Sequence, residues 1–154
     1  MSDESLGLTG QVQMTLRDRY GFVKEERYGP NLVVTAGKTE VAKLISGTSL
    51  ASDPFEYIAI GDDITGESAG QTALISEITS GGGERNPYGT AYVSEAAAVL
   101  QFITTYTFTS DFSVKESGVF NANASGDMLC RQTFTALAVS SADALTVTWK
   151  ITVS

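Results

Sequence analysis

The sequence predicts a mainly β fold: a single-domain antiparallel β-sandwich with one short helix at about residues 35–46. The segment Ala144–Val153 alternates between apolar and polar side chains, which is the period of a half-buried strand. Other strand-like segments follow at short intervals, separated by glycine and asparagine turns, as is typical of sandwiches and barrels. The chain has 154 residues, a length that predicts one domain with a sizeable core.

An arm and a hairpin come first. We expect a flexible N-terminal arm over residues 1–9 and the sandwich over residues 10–154, because the arm is rich in Ser, Asp and Gly and has no periodicity. Gln11–Arg17 alternates, and Phe22–Tyr28 follows the turn Asp18–Gly21, so these segments predict two paired strands. The charges of the second strand predict that the hairpin lies at a sheet edge.

A helix is predicted after a chain break at Gly29–Asn31. Thr35 is its predicted N-cap, Ala36–Ile45 its body and Gly47 its end. The apolar stripe that we expect to face the core consists of Val34, Val41, Leu44 and Ile45.

The remaining strands are interrupted by one long irregular segment. We predict strands at Phe55–Ile60, Thr90–Val93, Val99–Thr109, Val114–Asn121, Met128–Phe134, Leu137–Val139 and Ala144–Val153. The others are expected to pair around the last strand, whose apolar face contains Trp149. Residues 64–87 are rich in glycine and acidic residues, and within them Gln71–Ile78 is either a short helix or extended. Such a segment predicts exposed surface that faces a partner.

Charge and hydropathy limit the partners. The chain has 10 Lys and Arg against 18 Asp and Glu, a net charge of −8. Phosphate backbones repel such a chain, so we expect no nucleic-acid partner. No apolar run approaches the roughly 20 residues of a membrane helix, and the acidic N-terminus does not resemble a signal peptide. We therefore expect no membrane partner and synthesis in a cytoplasm.

Chemically reactive side chains are few. The chain has 0 histidines, which removes the commonest general base and metal ligand and leaves Cys130 without an activating base. We expect neither enzymatic activity nor a cofactor. Asp62, Asp63 and Glu67 are weak candidates for oxygen ligands of a divalent cation, but they match no EF-hand spacing, so we favour a solvated turn and no metal. Gly81–Arg85 lacks the ending of a phosphate loop and predicts a hinge or loop tip.

Five stretches of the chain, taken in order, resemble a known family. They are Asn31–Ile45, Tyr57–Asp63, Lys115–Ala122, Met128–Phe134 and Ala144–Val153, with the motifs N-L-V-V-T-A-G, I-A-I-G, E-S-G-V-F, M-L-C-R-Q-T-F and L-T-V-T-W. The ordered set resembles small β-sandwich virion structural proteins of tailed bacteriophages. The acidic, glycine-rich middle of the chain has no counterpart in that pattern.

The resemblance implies a non-enzymatic β-sandwich present in many copies on the particle. We expect a capsid decoration (cement) protein that binds the outer surface of the head and stabilises the major capsid protein lattice. Its location would be the virion, after assembly in the bacterial host cytoplasm. The short single domain, the arm and the lack of a repetitive stalk favour the head. The alternatives are a tail, baseplate or tail-fibre component, or a glycan-binding or glycan-degrading module.

We also expect a homo-oligomer, either a dimer or a trimer. The residues predicted to bind partners belong to the arm, the first hairpin and the irregular middle of the chain. They are Ser5, Leu6, Leu8, Tyr20, Phe22, Arg85 and Tyr88. Apolar burial combined with many-copy avidity would supply the affinity for the shell.

Overall fold

The computed structural model describes residues 7–46, 53–88, 90–94 and 98–154, with residues 90–94 as backbone only. Within these ranges the chain forms nine strands and one helix: β1 (Leu8–Arg17), β2 (Val23–Val33), α1 (Thr35–Ser46), β3 (Tyr57–Gly61), β4 (Asn86–Pro87), β5 (Thr90–Ser94), β6 (Val99–Thr107), β7 (Phe112–Phe120), β8 (Met128–Val139) and β9 (Ala144–Val153). The strand pairs are antiparallel. The predicted mainly β fold with one short helix is confirmed.

The strands form a continuous sheet that folds back on itself, in the order β4-β3-β7-β8-β2-β1-β9-β6-β5. Along this order, β2 pairs with β8 through Leu32 and Val33, which lie opposite Arg131 and Cys130. This short seam joins a layer of β4, β3, β7 and β8 to a layer of β2, β1, β9, β6 and β5. One side of the sandwich is therefore closed by hydrogen bonds between its two layers, and the fold approaches that of a closed barrel.

The main core lies between the two layers. Trp149 of β9 is fully buried, and its Nε1 donates a hydrogen bond of 3.2 Å to Ser117 Oγ on β7. From β6, the Tyr106 hydroxyl donates to the carbonyl oxygen of Ile58 on β3. The apolar face of β9 is buried as far as Ile151, and β9 lies between β1 and β6. The predicted pairing around the final strand is thus confirmed for these two neighbours.

The first hairpin forms as predicted, but its first strand begins earlier in the chain, and its position in the sheet differs from the predicted one. Leu8 and Thr9 pair with Val153 and Thr152, so they belong to β1 and not to an arm. Residues 1–6 of the predicted arm lie outside the described residues. The predicted edge position is wrong for β1, which lies between β2 and β9, but the charged part of β2 has no strand on its outer side within the described chain.

The predicted chain break at Gly29–Asn31 is also wrong, because β2 continues through it. Within the described chain, residues 23–31 of β2 pair with β1 and have no strand on their outer side. A proline lacks the N–H of a ladder donor, so Pro30 is tolerated at this half-free position. A Cβ at Gly10 of β1 would lie 2.0 Å from Asn31 Nδ2, so Gly10 makes room for that side chain.

The predicted helix is confirmed, with bounds Thr35–Ser46. Gly47, its predicted end, lies outside the described residues. Inside the helix, Lys43 Nζ lies 2.6 Å from Oε1 of the buried Glu40, one turn earlier. The helix thus buries a carboxylate whose cationic partner remains partly exposed.

The predicted apolar stripe of α1 is wrong at its end. Leu44 is 39% exposed and Ile45 is 71% exposed, whereas Gly37 and Glu40 are buried. A Cβ at Gly37 would lie 2.3 Å from the carbonyl oxygen of Leu129. The helix therefore approaches β8 backbone to backbone at Gly37.

The irregular middle of the chain was predicted to be exposed, and this is wrong for Leu74 and Ile78, whereas Ile64 and Ile75 are exposed. Leu74 is 7% exposed and packs in a second, smaller core. The other buried members of that core are Val34, Ala59, Phe120 and Met128. The part of the segment around Glu77 is extended, because Glu77 forms an antiparallel β-bridge with Gly61. This part of the chain therefore covers the outer face of the layer that contains β3, β7 and β8.

The glycine run is a packed turn and not a free tip. Gly81 and Gly82 have positive φ values of 67° and 87°, which favour glycine. A Cβ at Gly82 would lie 2.2 Å from the carbonyl oxygen of Thr107. The amide of Thr109 donates to the carbonyl oxygen of Gly81 at 2.8 Å. The run is thus held against the end of β6.

Candidate functional site

Two apolar surfaces lie at opposite ends of β1 in the part of the chain that the structure describes. The first is the turn between β1 and β2 together with the first residue of β2, residues 18–23, which we call the hairpin tip. Tyr20 is 77% exposed, Phe22 is 71% exposed and Val23 is 48% exposed. Aromatic residues dominate binding energies where they become buried, so these exposed side chains are candidates for a contact surface.

The hairpin tip is held in one conformation by a single carboxylate. Asp18 Oδ1 accepts hydrogen bonds from the amides of Tyr20 at 2.8 Å and Phe22 at 3.0 Å. Gly21 has a φ of 88°, a value that favours glycine, and its carbonyl oxygen accepts a bond of 3.1 Å from Arg17 Nη1. The aromatic pair is therefore presented on an ordered turn, which lowers the entropy lost on binding.

Two guanidinium groups flank the aromatic pair. Arg17 contacts the turn backbone, and the Arg19 guanidinium carbon lies 6.0 Å from the centroid of the Tyr20 ring. Lys24 is already paired, because its Nζ lies 2.6 Å from Asp143 Oδ2. The positive charge beside the aromatic rings therefore comes from the two arginines.

The second surface is a groove of about 420 Å³ at the other end of β1, which we call the apolar groove. Leu8 of β1 and Val153 of β9, which pair with each other, lie on one side of it. Helix α1 contributes Val41 and Leu44. The other lining residues are Pro54, Phe55, Tyr88, Leu100, Phe102, Leu129 and Ile151.

One aromatic contact shapes the floor of the apolar groove. The rings of Tyr88 and Phe102 lie 5.0 Å apart between centroids, with an angle of 35° between their planes. The groove is thus lined by apolar and aromatic side chains.

The residues predicted to bind partners are divided between these surfaces. Tyr20 and Phe22 are at the hairpin tip, while Leu8 and Tyr88 line the apolar groove. The sequence therefore indicated members of both surfaces but not that they form two separate sites. Ser5 and Leu6 lie outside the described residues, and their role stays a prediction.

The Arg85 side chain is used inside the molecule, and its role in partner binding stays a prediction. It is 6% exposed, and its Nε donates to Glu77 Oε1 at 2.6 Å. Its Nη1 donates to the carbonyl oxygens of Ala122 at 2.9 Å and Ser125 at 2.6 Å. The guanidinium carbon lies 3.7 Å from the centroid of the Phe120 ring. These contacts leave Arg85 little surface for a partner.

The weak metal candidates are engaged by protein donors. Asp63 Oδ1 accepts the Thr65 amide at 2.6 Å, and bonds from the Thr65 side chain and amide lower the pKa of Asp63. Partial burial opposes ionisation of Glu67, but bonds from the amide and hydroxyl of Thr133 outweigh it and lower the pKa of Glu67. Asp62 is exposed. Within the described ranges, no three Asp, Glu, Cys or His side chains are grouped as a metal site requires.

The interior contains polar groups that sequence reasoning missed. Glu116 and Arg131 are both fully buried and form an ion pair below the irregular middle of the chain. Charged residues inside otherwise apolar strands were the signal that could have indicated them. Burial raises the pKa of the Cys130 thiol, which disfavours the thiolate needed for nucleophilic chemistry.

Comparisons of this chain with protein-family models, with curated proteins and with solved structures give no match. The fold therefore assigns the protein to a structural class only. It is a small antiparallel β-sandwich with one helix and two apolar surfaces at its ends. No helix in the described part of the chain is long and apolar enough to cross a membrane.

Proposed function

We propose that this chain is a structural protein of a tailed-bacteriophage virion, and that it decorates the head by binding the outer surface of the major capsid protein lattice. The observation that supports this most directly is the placement of the hairpin tip and the apolar groove at opposite ends of one rigid sandwich. A protein that exposes two such surfaces can contact two neighbours at once, which is the requirement for a cement protein.

The span of the molecule suits such a bridge. Leu8 at the apolar groove and Arg17 beside the hairpin tip are the two ends of a strand of 10 residues. At about 3.3 Å per residue, the two surfaces lie about 30 Å apart. The hydrogen-bonded sheet between them resists bending, so a load applied at one end reaches the other.

The positions of the family-like stretches also support the proposal. Three of them form the adjacent strands β3, β7 and β8, and α1 packs on β8. The fifth, in β9, contacts this group through the bond from Trp149 to Ser117. The pattern that resembles virion proteins therefore corresponds to one spatially continuous group, as a shared fold would require.

Avidity explains how modest contacts would stabilise a particle. A turn of six residues buries less than the standard interface, and contacts below about 1,200 Å² are generally weak. Many copies on one lattice convert weak single contacts into a strong collective one. A decoration protein of this kind would bind weakly to an isolated capsid subunit and strongly to the assembled head.

The test uses virions of the phage that encodes the chain, with and without its gene. We expect density for the protein over the head surface in cryo-electron microscopy, and particles without it that release DNA at lower temperature or after milder osmotic shock. Adding back the purified protein should restore the resistance. Density at the tail or baseplate, or hydrolysis of a host polysaccharide by the pure protein, would instead support one of the two alternative functions.

A further inference from the structure

We infer that the side of the sandwich between β2 and β8 opens locally, and that Arg27 acts as a latch that holds it closed. The two strands pair only at Leu32 and Val33 of β2. Beyond this short seam they diverge, and no other strand of the described chain lies between them. The inference concerns a motion of the fold itself, so it is independent of the proposed function.

The seam is a regular antiparallel ladder at its closed end. The Val34 amide donates to the carbonyl oxygen of Leu129 at 3.1 Å, and Leu32 lies opposite Arg131 in the same register. Pairs that exchange hydrogen bonds recur at every second residue of such a ladder. The next exchanging pair would therefore lie two residues farther along each strand.

That next pair is Pro30 and Thr133, and it cannot complete the ladder. Proline has no backbone N–H to donate to the carbonyl oxygen of Thr133. The amide of Thr133 donates to Glu67 Oε1, and its carbonyl oxygen accepts a bond of 2.6 Å from the Gln132 side chain. Pro30 therefore ends the pairing, and the two strands continue without bonds between their backbones.

The divergence leaves a gap of about 260 Å³ that reaches the main core. Val12 and Met14 of β1 line it, and they are 3% and 0% exposed. The strand β2 contributes residues 27–30, and β8 contributes residues 132–135. None of these residues is next in sequence to a part of the chain outside the described ranges. Widening the gap would therefore bring water to core side chains of β1.

Arg27 spans the gap from the β2 side. Its Nε donates to the carbonyl oxygen of Thr135 at 3.0 Å, and its Nη2 donates to that of Ala136 at 2.9 Å. Within β2, Nη1 donates to the carbonyl oxygen of Glu26 at 2.8 Å, and Nη2 lies 3.4 Å from Glu25 Oε2. Hydrogen bonds from a charged donor are stronger than those between neutral groups. One side chain thus supplies β8 with donors where a paired strand would supply amides.

A second cation bridges the far end of the gap. Lys24 Nζ of β2 lies 2.6 Å from Oδ2 of Asp143, in the turn between β8 and β9. In the described chain, the bonds from Arg27 are the hydrogen bonds between β2 and β8 in the interval from Pro30 to this ion pair. The closure of that interval therefore depends on Arg27.

Thiol labelling tests the opening directly. Val12→Cys places a thiol at the gap, and Val147→Cys places one in the same core away from the gap, at a side chain that is 0% exposed. Under native conditions we expect Val12→Cys to be labelled at least about 10-fold faster, at a rate that low urea concentrations hardly change. Such a rate identifies local opening, since global unfolding is favoured in proportion to the urea concentration. Equal rates at the two positions would overturn the inference.

Removing the latch should accelerate the labelling. Arg27→Met keeps an apolar stem but loses the donors to β8, and we expect the labelling of Val12→Cys to become at least about 10-fold faster in this background. The matched control is Arg17→Met, which removes a bond of 3.1 Å to the Gly21 carbonyl oxygen at the hairpin tip and should leave the rate unchanged. No acceleration by Arg27→Met, or the same acceleration by Arg17→Met, would contradict the role of the latch.

Cys130 is an internal control in each of these variants. It is fully buried and lies opposite Val33, on the paired side of the seam. Mass spectrometry of the labelled peptides should locate the reagent at position 12 and not at Cys130. Labelling of both thiols at the same rate would mean that the whole domain unfolds, and this result would rule out a local opening.

The role of Pro30 is tested by restoring the missing donor. Pro30→Val supplies a backbone N–H at an exposed position, so that the ladder can extend toward Thr133. The gain of about one hydrogen bond should slow the labelling of Val12→Cys by about 5-fold. An unchanged or faster rate would show that Pro30 does not set the end of the seam.

Discussion

Glu116 and Arg131 form an ion pair with no exposure to solvent, in which Arg131 Nη2 lies 2.7 Å from Glu116 Oε2. Both partners also bind the irregular segment above them. The Glu116 carboxylate accepts the amides of Ile75 at 3.2 Å and Ser76 at 2.8 Å. Arg131 Nη1 donates to the carbonyl oxygen of Thr65 at 2.8 Å. The pair thus links β7 and β8 to a segment that has little secondary structure of its own.

Removing one member of this pair should strongly destabilise the fold. Arg131→Met leaves the Glu116 carboxylate buried without its cation, and the expected loss is about 3–5 kcal/mol in the free energy of unfolding. Urea denaturation followed by Trp149 fluorescence measures it. The double variant Glu116→Leu/Arg131→Met should lose less than Arg131→Met alone. An Arg131→Met protein as stable as wild type would contradict the role given to the pair.

A methyl group at Gly37 should disturb the contact between helix and sheet. The added Cβ would lie 2.3 Å from the carbonyl oxygen of Leu129, so α1 must move outward. Although alanine favours helices, overpacking of this kind typically destabilises by about 1–3 kcal/mol, and we expect Gly37→Ala to lower the urea midpoint. The exposed neighbour Lys38→Ala should change stability by less than about 0.5 kcal/mol. An unchanged midpoint for Gly37→Ala would mean that the helix sits farther from β8.

Acid should destabilise the protein partly through Asp143. Burial opposes ionisation of this carboxyl, but bonds from Lys24 Nζ at 2.6 Å and from the Ser140 amide at 2.9 Å outweigh it and lower the pKa of Asp143. A carboxyl with a lower pKa in the folded state stabilises that state above its unfolded pKa of about 3.9, and the contribution disappears as the pH falls through the folded pKa.

We therefore expect the free energy of unfolding to decline below about pH 4. Asp143→Asn should lower stability near neutral pH and flatten this decline, as measured by urea titrations at a series of pH values. Asp62→Asn, at an exposed carboxylate, is the matched control and should keep the wild-type pH dependence. The same acid slope in Asp143→Asn and wild type would argue against this assignment.

Cys130 should react with thiol reagents only when the protein unfolds. Its side chain is fully buried, and burial raises the pKa of its thiol. In the native state, reagents therefore cannot easily reach the sulfur, and the reactive thiolate form is disfavoured. We expect no labelling of native protein by an aromatic disulfide reagent and one thiol labelled per chain in guanidinium chloride. Gln13→Cys, on an exposed strand position, should react at once. Rapid labelling of the native wild type would show that the β7–β8 region opens readily.

Local sequence patterns were sufficient to predict the elements in which apolar and polar residues alternate regularly. The alternation in Ala144–Val153 specified β9 and its buried face, and the paired alternation around Asp18–Gly21 specified the first hairpin. Such predictions succeed because side chains on a strand point to opposite faces whatever the strand pairs with. The helix at Thr35–Ser46 also follows from local signals, since Ala36, Lys38, Glu40, Ala42, Lys43 and Leu44 are good helix formers.

Contacts between distant residues decided the rest. No local pattern could show that β1 lies inside the sheet, that Arg85 is bound by carbonyl groups about 40 residues away, or that α1 approaches β8 through Gly37. The apolar groove escaped prediction for the same reason, because its lining comes from separate strands, the helix and a loop. The sequence by itself determined a β-sandwich with one helix and an exposed aromatic turn. Only the tertiary structure placed an apolar groove at the opposite end of β1, since burial depends on which surfaces meet in the folded chain.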